Sequence, residues 1–132
     1  MSAPTVLVSL CLCGVLCRYH GQRYRMGHDL TLPHSVVRRL RAAGYRMVPV
    51  CPEVDGGLPV PRPPTRRCHG RLVCGDQDVT EAFIRGAGLA LATAEREGCE
   101  RAYLVRGSQA CDRDTGVLGQ LLMRRGISVS RV

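Results

Sequence analysis

The sequence predicts an α/β fold: a small, mostly parallel sheet with helices on its faces, in the three-layer sandwich of Rossmann-like proteins. Segments of strand length and helix length alternate along the chain, which is typical of a parallel sheet with right-handed crossovers. The first segment, Thr5–Leu10, is rich in apolar and β-branched residues, as in strands covered on both faces. With 45% hydrophobic residues, the chain of 132 residues is long enough to bury one core.

Seven segments follow a strand or helix pattern. We predict strands at 5–10, 45–50, 101–105 and 127–132, and helices at 34–43, 79–97 and 116–125. Gly44, Gly98 and Gly126 stand directly after these helices, at positions where helices commonly end. Asp78 or Thr80 is expected to cap the long second helix.

The segment at 51–75 has a different composition. It contains two adjacent glycines and five prolines, Pro52, Pro59, Pro61, Pro63 and Pro64. Proline fixes the backbone, and this composition is too structured for a flexible linker. We therefore predict a fixed, extended loop over this segment.

The chain is strongly basic, with a net charge of +8 and only arginine among its 19 basic residues. A basic excess favours anionic partners such as nucleotides or nucleic acid. The arginines are scattered and no basic stripe alternates with aromatic residues, so nucleic-acid binding rests on charge alone. The motifs of dinucleotide-binding proteins, P-loop NTPases, α/β-hydrolases and zinc proteases are absent from the sequence.

The chain contains eight cysteines, which bear on its compartment. Residues 5–17 are apolar but lack the basic start and the cleavage site of a secretory signal, and they are too few to span a membrane. We therefore expect a cytoplasmic protein with no membrane association. In that reducing compartment, clustered cysteines indicate metal or redox chemistry.

Three of the cysteines occupy equivalent places in the predicted fold. Cys11 and Cys51 directly follow the first and second strands, and Cys111 lies a few residues after the third. Ligands of open α/β sheets bind at the carboxyl ends of the strands, so we expect these thiols to converge there. Three thiolates would hold an iron–sulfur cluster or a zinc ion with one open position. The alternative is three buried structural thiols.

The other cysteines are weaker candidates. Cys13 and Cys17 lie near Cys11 and could replace it or sit beside a cluster. A zinc site formed by Cys68, His69 and Cys74 is conceivable, although no fourth ligand has the usual spacing. We expect Cys99 to fill the core beside the third strand.

Several polar residues are predicted to lie at the same edge of the sheet. Glu53, two residues after Cys51, is a candidate general acid or base, although it could equally be an exposed loop residue. Ser108, three residues before Cys111, could donate a hydrogen bond to a substrate or merely close a turn. Arg18 and Arg62 could hold an anionic group or serve the structure.

Four segments resemble the thiouracil desulfidase family over nearly the whole chain. They are LVSLCLCGVLCRYHG at 7–21, PVCPEVDGGLPVPRPP at 49–64, DVTEAFIRGA at 78–87 and GSQAC at 107–111. The resemblance implies a single desulfidase-like domain over residues 1–132. It also implies a cluster of the 4Fe-4S type held by three cysteines, whose fourth iron takes the sulfur of a thiolated pyrimidine in a non-redox reaction.

The resemblance assigns roles by motif. It implies that Cys11, Cys51 and Cys111 are the cluster ligands, that Glu53 is the acid–base carboxylate and that Ser108 orients the substrate. The sequence departs from the family where RYDG becomes RYHG at 18–21 and where SPSCG becomes SQACD at 108–112. The stretch that usually follows the third cysteine is also shorter here.

These features favour an enzyme that removes sulfur from thiouracil or a related thiolated pyrimidine, either free or in RNA such as thiolated tRNA. The first alternative is a non-catalytic iron–sulfur-binding or redox-sensing module that lost turnover with the shortened stretch after Cys111. A zinc-stabilised or disulfide-stabilised structural domain is the third hypothesis.

Overall fold

The computed structural model describes residues 4–13 and 35–132. Its elements, in chain order, are β1 (Thr5–Ser9), a 3₁₀ turn (Leu10–Cys13), α1 (Ser35–Ala42), β2 (Arg46–Val50), α2 (Pro52–Asp55), β3 (Thr65–Cys68), β4 (Arg71–Cys74), β5 (Gln77–Asp78), α3 (Thr80–Arg96), β6 (Arg101–Leu104), α4 (Val117–Arg124) and β7 (Ser128–Arg131). Strands β2, β1, β6 and β7, in that order, form a parallel sheet, and β3, β4 and β5 form a separate antiparallel sheet.

The predicted α/β class is confirmed, and all four predicted strands form the parallel sheet. The three predicted helices are also present, each within two residues of its predicted ends. The N-cap position of α3 is occupied by Val79, without a side-chain capping bond, and not by the predicted Asp78 or Thr80. Asp78, one residue earlier, accepts a hydrogen bond from the backbone N–H of Thr80 at 2.9 Å. Hydrogen bonds from Arg71 and Thr80 lower the pKa of Asp78 to about 2.

The parallel sheet is the middle of three layers. Val6 and Val8 of β1 point to one face and pack in the same cluster as the buried side of α1. Leu7, between them, belongs to the larger cluster on the opposite face, which includes the buried sides of α3 and α4. This alternation follows from the period of two residues in a strand, and it buries β1 on both faces as predicted. No helix among the described residues is long and apolar enough to cross a membrane.

The prediction of an extended loop over 51–75 was wrong, because α2, β3 and β4 lie within it. The prolines do not continue beyond Pro64, and the residues after it form a hairpin with Cys68 paired to Arg71. His69 and Gly70 have φ angles of 50° and 76°, which fits the two-residue turn that matches the twist of antiparallel strands. The prolines before this hairpin obscured it, and the sequence RLVC of β4 does not alternate between apolar and polar residues.

Candidate active site

A cavity of about 180 Å³ lies at the carboxyl ends of β1, β2 and β6. Its lining includes all three predicted ligands, Cys11, Cys51 and Cys111, together with Glu53 and Ser108. Each of the three cysteines is buried, with between 7% and 9% of its surface exposed. The three strands are parallel neighbours in the sheet, so their carboxyl ends meet at one edge and bring distant parts of the sequence together.

Local structure after each strand directs the cysteines toward this cavity. Cys11 lies in the 3₁₀ turn that follows β1 directly. Cys51 keeps an extended backbone and precedes the first residue of α2, where Pro52 is favoured because the first helical turn needs no N–H partner. The carboxylate of Asp55 accepts a hydrogen bond from the N–H of Cys51 at 3.3 Å, which fixes the backbone at this point.

Cys111 lies in a dense hydrogen-bonded turn. The hydroxyl oxygen of Ser108 accepts hydrogen bonds from the N–H groups of Ala110 and Cys111, at 3.2 and 3.0 Å. Ser108 therefore closes a turn, and its one O–H is the donor that reaches the Cys111 thiol. Burial, with a smaller effect of the nearby Cys51 and Glu53, raises the pKa of the Cys111 thiol to about 12, although hydrogen bonds from Ser9 and Ser108 oppose the rise.

Arg62 holds the Glu53 carboxylate in place. Its Nε and Nη2 donate hydrogen bonds to Oε2 of Glu53 at 3.1 and 2.6 Å, and its Nη1 donates to the carbonyl oxygen of Pro59 at 3.0 Å. The side chain of Arg62 is 1% exposed and that of Glu53 is 19% exposed. Among the described residues, Oε1 of Glu53 accepts no hydrogen bond. The sequence left open whether Arg62 holds an anionic group or serves the structure, and these bonds to Glu53 and Pro59 correspond to the structural role.

Asp112 anchors the loop that carries Ser108 and Cys111. Its carboxylate is almost fully buried and accepts hydrogen bonds from Nε and Nη2 of Arg131 at 2.8 and 3.0 Å. It also accepts hydrogen bonds from the N–H of Gly107 and the hydroxyl of Thr115, both at 3.1 Å. Burial alone would raise the pKa of Asp112, but these hydrogen bonds, led by Arg131, lower it to about 2.

Two helices contact the cysteine loops through glycine residues. A Cβ atom added at Gly86 of α3 would lie 1.7 Å from the carbonyl oxygen of Pro52, the residue after Cys51. A Cβ atom added at Gly119 of α4 would lie 2.1 Å from the carbonyl oxygen of Asp112. Only glycine permits such close approach, so the two helices fix the positions of these loops.

The family model described as 2-thiouracil desulfurase matches residues 6–131 of this chain. The chain belongs to this family. It is 29% identical over 119 residues to the uncharacterized protein YbbK of Bacillus subtilis (strain 168), an alignment that covers 80% of this chain and 72% of YbbK. It is similar to the solved structure of the 4Fe-4S-dependent thiouracil desulfidase TudS, with 35% sequence identity, a TM-score of 0.82, and coverage of 97% of this chain and 90% of that one.

The other residues considered from the sequence lie apart from the cavity lining or outside the described residues. Cys99 is buried in the larger core cluster, as predicted. Cys13 packs beside α1 and is half-buried. The thiol of Cys74 donates a hydrogen bond to the carbonyl oxygen of Pro63 at 3.0 Å. Cys17 and Arg18 fall outside the described residues. Within 4–13 and 35–132, no group of three His, Cys, Asp or Glu side chains is arranged to bind a metal ion. The zinc site considered for Cys68, His69 and Cys74 is therefore not formed.

Sequence reasoning missed several polar groups in and around the cavity. Asp112 and Gln109 stood out only as departures from the family motif, and Arg67 and Arg131 gave no signal because their partners are distant in sequence. Thr65 lines the cavity, and its buried Oγ1 has no hydrogen-bond partner among the described residues. Buried polar groups are nearly always paired, so this hydroxyl calls for an explanation.

Proposed function

We propose that this chain is a 4Fe-4S-dependent desulfidase that replaces the thiocarbonyl sulfur of thiouracil, or of a related thiolated pyrimidine, with oxygen. The observation that carries the proposal is the lining of one cavity by three buried cysteines at the ends of three parallel strands. Membership of the 2-thiouracil desulfurase family supports the reaction, and similarity to TudS supports the cofactor.

The residues present fit a four-iron cluster. Cysteine thiolates are the usual ligands of such clusters, and three of them leave one iron for a substrate. In a cluster, each thiolate binds a different iron, so the ligands do not need to converge on one point as they would around a single ion. A coordinated thiol is deprotonated outright, so bound iron would overcome the raised pKa of Cys111.

When bound, the cluster supplies a thiophilic Lewis acid for the thiocarbonyl sulfur. The protein groups supply the rest of the reaction. Glu53 accepts a proton from water while the oxygen of that water bonds to the ring carbon. Glu53 then delivers protons of the water to the departing sulfur as the carbon–sulfur bond breaks. The overall exchange consumes one water and releases one hydrogen sulfide per thiocarbonyl, with no electron donor or acceptor.

Arg62 and Ser108 position the reacting groups: Arg62 orients the Glu53 carboxylate, and Ser108 orients the substrate. Since both hydrogen bonds that Glu53 receives from Arg62 go to Oε2, Oε1 of Glu53 is the oxygen that we expect to face the water. The oxygen of Ser108 already accepts two backbone N–H groups, and its O–H would turn from the Cys111 thiol to a polar group of the bound substrate. We therefore assign Glu53 to proton transfer and Ser108 to substrate orientation.

Beside the free base, we also propose a thiolated base in tRNA as a candidate substrate. No cysteine among the described residues forms a disulfide, which is consistent with the reducing, cytoplasmic location that we propose.

The test begins with protein loaded with iron and sulfide in the absence of oxygen. Cys11→Ala, Cys51→Ala and Cys111→Ala should each abolish iron binding, whereas the control variants Cys68→Ala, Cys74→Ala and Cys99→Ala should retain it. Full iron retention in any of the first three would remove that residue from the ligand set. If Cys11→Ala retains iron, a further variant that also lacks Cys13 and Cys17 tests whether either replaces it.

Activity is measured with the same loaded protein. We expect loss of thiocarbonyl absorbance and release of sulfide from 2-thiouracil, with 4-thiouridine and thiolated tRNA as the other substrates. Full iron content without turnover of any of them would contradict an enzyme and favour the non-catalytic iron–sulfur module.

A further inference from the structure

Gln109 is a polar residue of the cavity wall whose side chain is held at one end. The Nε of Arg67 donates a hydrogen bond to Oε1 of Gln109 at 3.1 Å, and the Nη2 of Arg67 donates to the carbonyl oxygen of Thr115 at 2.6 Å. The backbone carbonyl of Gln109 also accepts a hydrogen bond from the N–H of Val117, at the start of α4. The residue is therefore anchored through both its backbone and its side chain.

The chemistry of Arg67 decides which end of the Gln109 amide faces away from it. A guanidinium group has only donors and keeps its charge at every accessible pH, so it can pair with the amide oxygen but not with the amide NH₂ group. The oxygen of Gln109 must therefore face Arg67, and the NH₂ group must face the other way. Among the described residues, this NH₂ group has no hydrogen-bond partner.

Thr65 is a second polar group of the cavity wall and lies on the same strand as Arg67. Residues two apart in a strand point to the same face, so the hydroxyl of Thr65 and the guanidinium of Arg67 lie on one side of β3. Among the described residues, the Oγ1 of Thr65 is buried and has no partner. The wall thus offers one buried hydroxyl without a partner and, at its exposed end, the NH₂ group of Gln109, and a ligand with polar atoms could bond to both.

We infer that Gln109, positioned by Arg67, selects among thiolated pyrimidines by donating a hydrogen bond to a ring carbonyl oxygen. The inference rests on the proposed function, because it specifies which substrate the same cavity accepts. 2-Thiouracil carries a carbonyl oxygen on its ring in addition to the thiocarbonyl. In 2-thiocytosine, an amino group replaces that oxygen and would meet the NH₂ group of Gln109 donor to donor. We therefore expect this chain to prefer 2-thiouracil.

The experiment compares the binding of the two bases to anaerobically loaded protein, by equilibrium dialysis in the cold, together with steady-state turnover. Wild-type protein should bind 2-thiouracil about tenfold more tightly than 2-thiocytosine, which is the share of one hydrogen bond. Gln109→Leu should weaken 2-thiouracil binding and lose the preference, with the effect in KM rather than in kcat. Iron content and thermal unfolding of each variant check that the site remains intact.

Variants of Arg67 test its positioning role separately. In Arg67→Ala the amide of Gln109 is free to rotate, so 2-thiocytosine should bind more tightly and the preference should fall toward one. Arg67→Lys keeps a donor-only cation beside the amide oxygen and should restore the preference. Loss of the donor in Gln109→Leu and rotation of the donor in Arg67→Ala are thus distinguishable, because only the rotated amide improves the binding of 2-thiocytosine.

Each outcome decides the inference. A wild-type preference that survives in Gln109→Leu would overturn the role of Gln109, and an unchanged preference in Arg67→Ala would overturn the role of Arg67. Turnover of both bases without preference would overturn the inference and leave the proposed function standing. If loaded wild-type protein binds neither base, both the inference and the proposed function are wrong.

Discussion

Replacing Gly86 with alanine tests whether α3 fixes the position of the loop that carries Cys51. The new Cβ atom would lie 1.7 Å from the carbonyl oxygen of Pro52, a distance that side-chain carbons do not adopt. The helix and the loop would have to separate by about 1.3 Å at this point to reach a tolerable contact, and overpacking of this kind costs about 1–3 kcal/mol. Alanine also favours the helix by about 0.5–1 kcal/mol, which offsets part of that cost. These two effects together leave an expected net destabilisation of up to about 2.5 kcal/mol.

Gly88 provides a matched control two residues away on the same helix. Beyond the surrounding turns of its own helix, a Cβ atom there would meet no atom of the described residues within 4 Å, so Gly88→Ala should stabilise the protein by about 0.5–1 kcal/mol through helix propensity alone. Urea unfolding of the protein without iron gives the two free energies of unfolding, and iron content after anaerobic loading reports the effect on the site. If Gly86→Ala unfolds at the same urea concentration as Gly88→Ala and binds a full complement of iron, the close approach of α3 does not fix the Cys51 loop.

Three further predictions address catalysis, the Cys111 loop and the cavity wall. Glu53→Gln should retain iron but lower the rate of desulfuration by about two to four orders of magnitude, the usual share of acid–base catalysis. The control Glu95→Gln, on the exposed side of α3, should not change this rate. Equal rates in Glu53→Gln and the wild-type protein would remove Glu53 from proton transfer. Asp112→Ala should lower the free energy of unfolding by about 3 kcal/mol, because it leaves Arg131 without its buried partner. In the same urea assay, Asp114→Ala, which removes an exposed ion pair, should lower the free energy of unfolding by less than about 1 kcal/mol. Thr65→Val should stabilise the protein without iron by about 1 kcal/mol, since it removes a buried hydroxyl without a partner, and should weaken 2-thiouracil binding; an unchanged urea midpoint would show that this hydroxyl is already satisfied.

The parallel sheet and its helices were predictable because their signals are local. The apolar run of β1, the alternation of strand and helix segments and the glycines after the helices each lie within a few residues of the element that they specify. The convergence of the three cysteines on one cavity followed from topology, since parallel strands that are neighbours in a sheet end at the same edge. Patterns along the sequence were therefore enough to predict both the parallel sheet and the meeting of the three cysteines.

The remaining features depend on contacts between distant parts of the chain. Arg67 meets Gln109 across 42 residues, and Arg131 meets Asp112 across 19, so neither pair leaves a spacing signal in the sequence. The close approach of Gly86 to Pro52 depends on the path of the whole connection between α2 and α3. The β3–β4 hairpin was missed for a different reason: the prolines that precede it dominated the composition of the segment.

The wide spacing of Cys11, Cys51 and Cys111 has a consequence for the unfolded chain. A cluster held by all three thiols would close two successive loops of about 40 and 60 residues, so it would act as a cross-link that restricts the unfolded ensemble, much as disulfides do. The three ligands come together only in the folded state, so the free energy of cluster binding also contributes to the free energy of folding. Loss of the cluster to oxygen should then remove the cross-link and the binding contribution together, and resistance to proteases would report the state of the cluster.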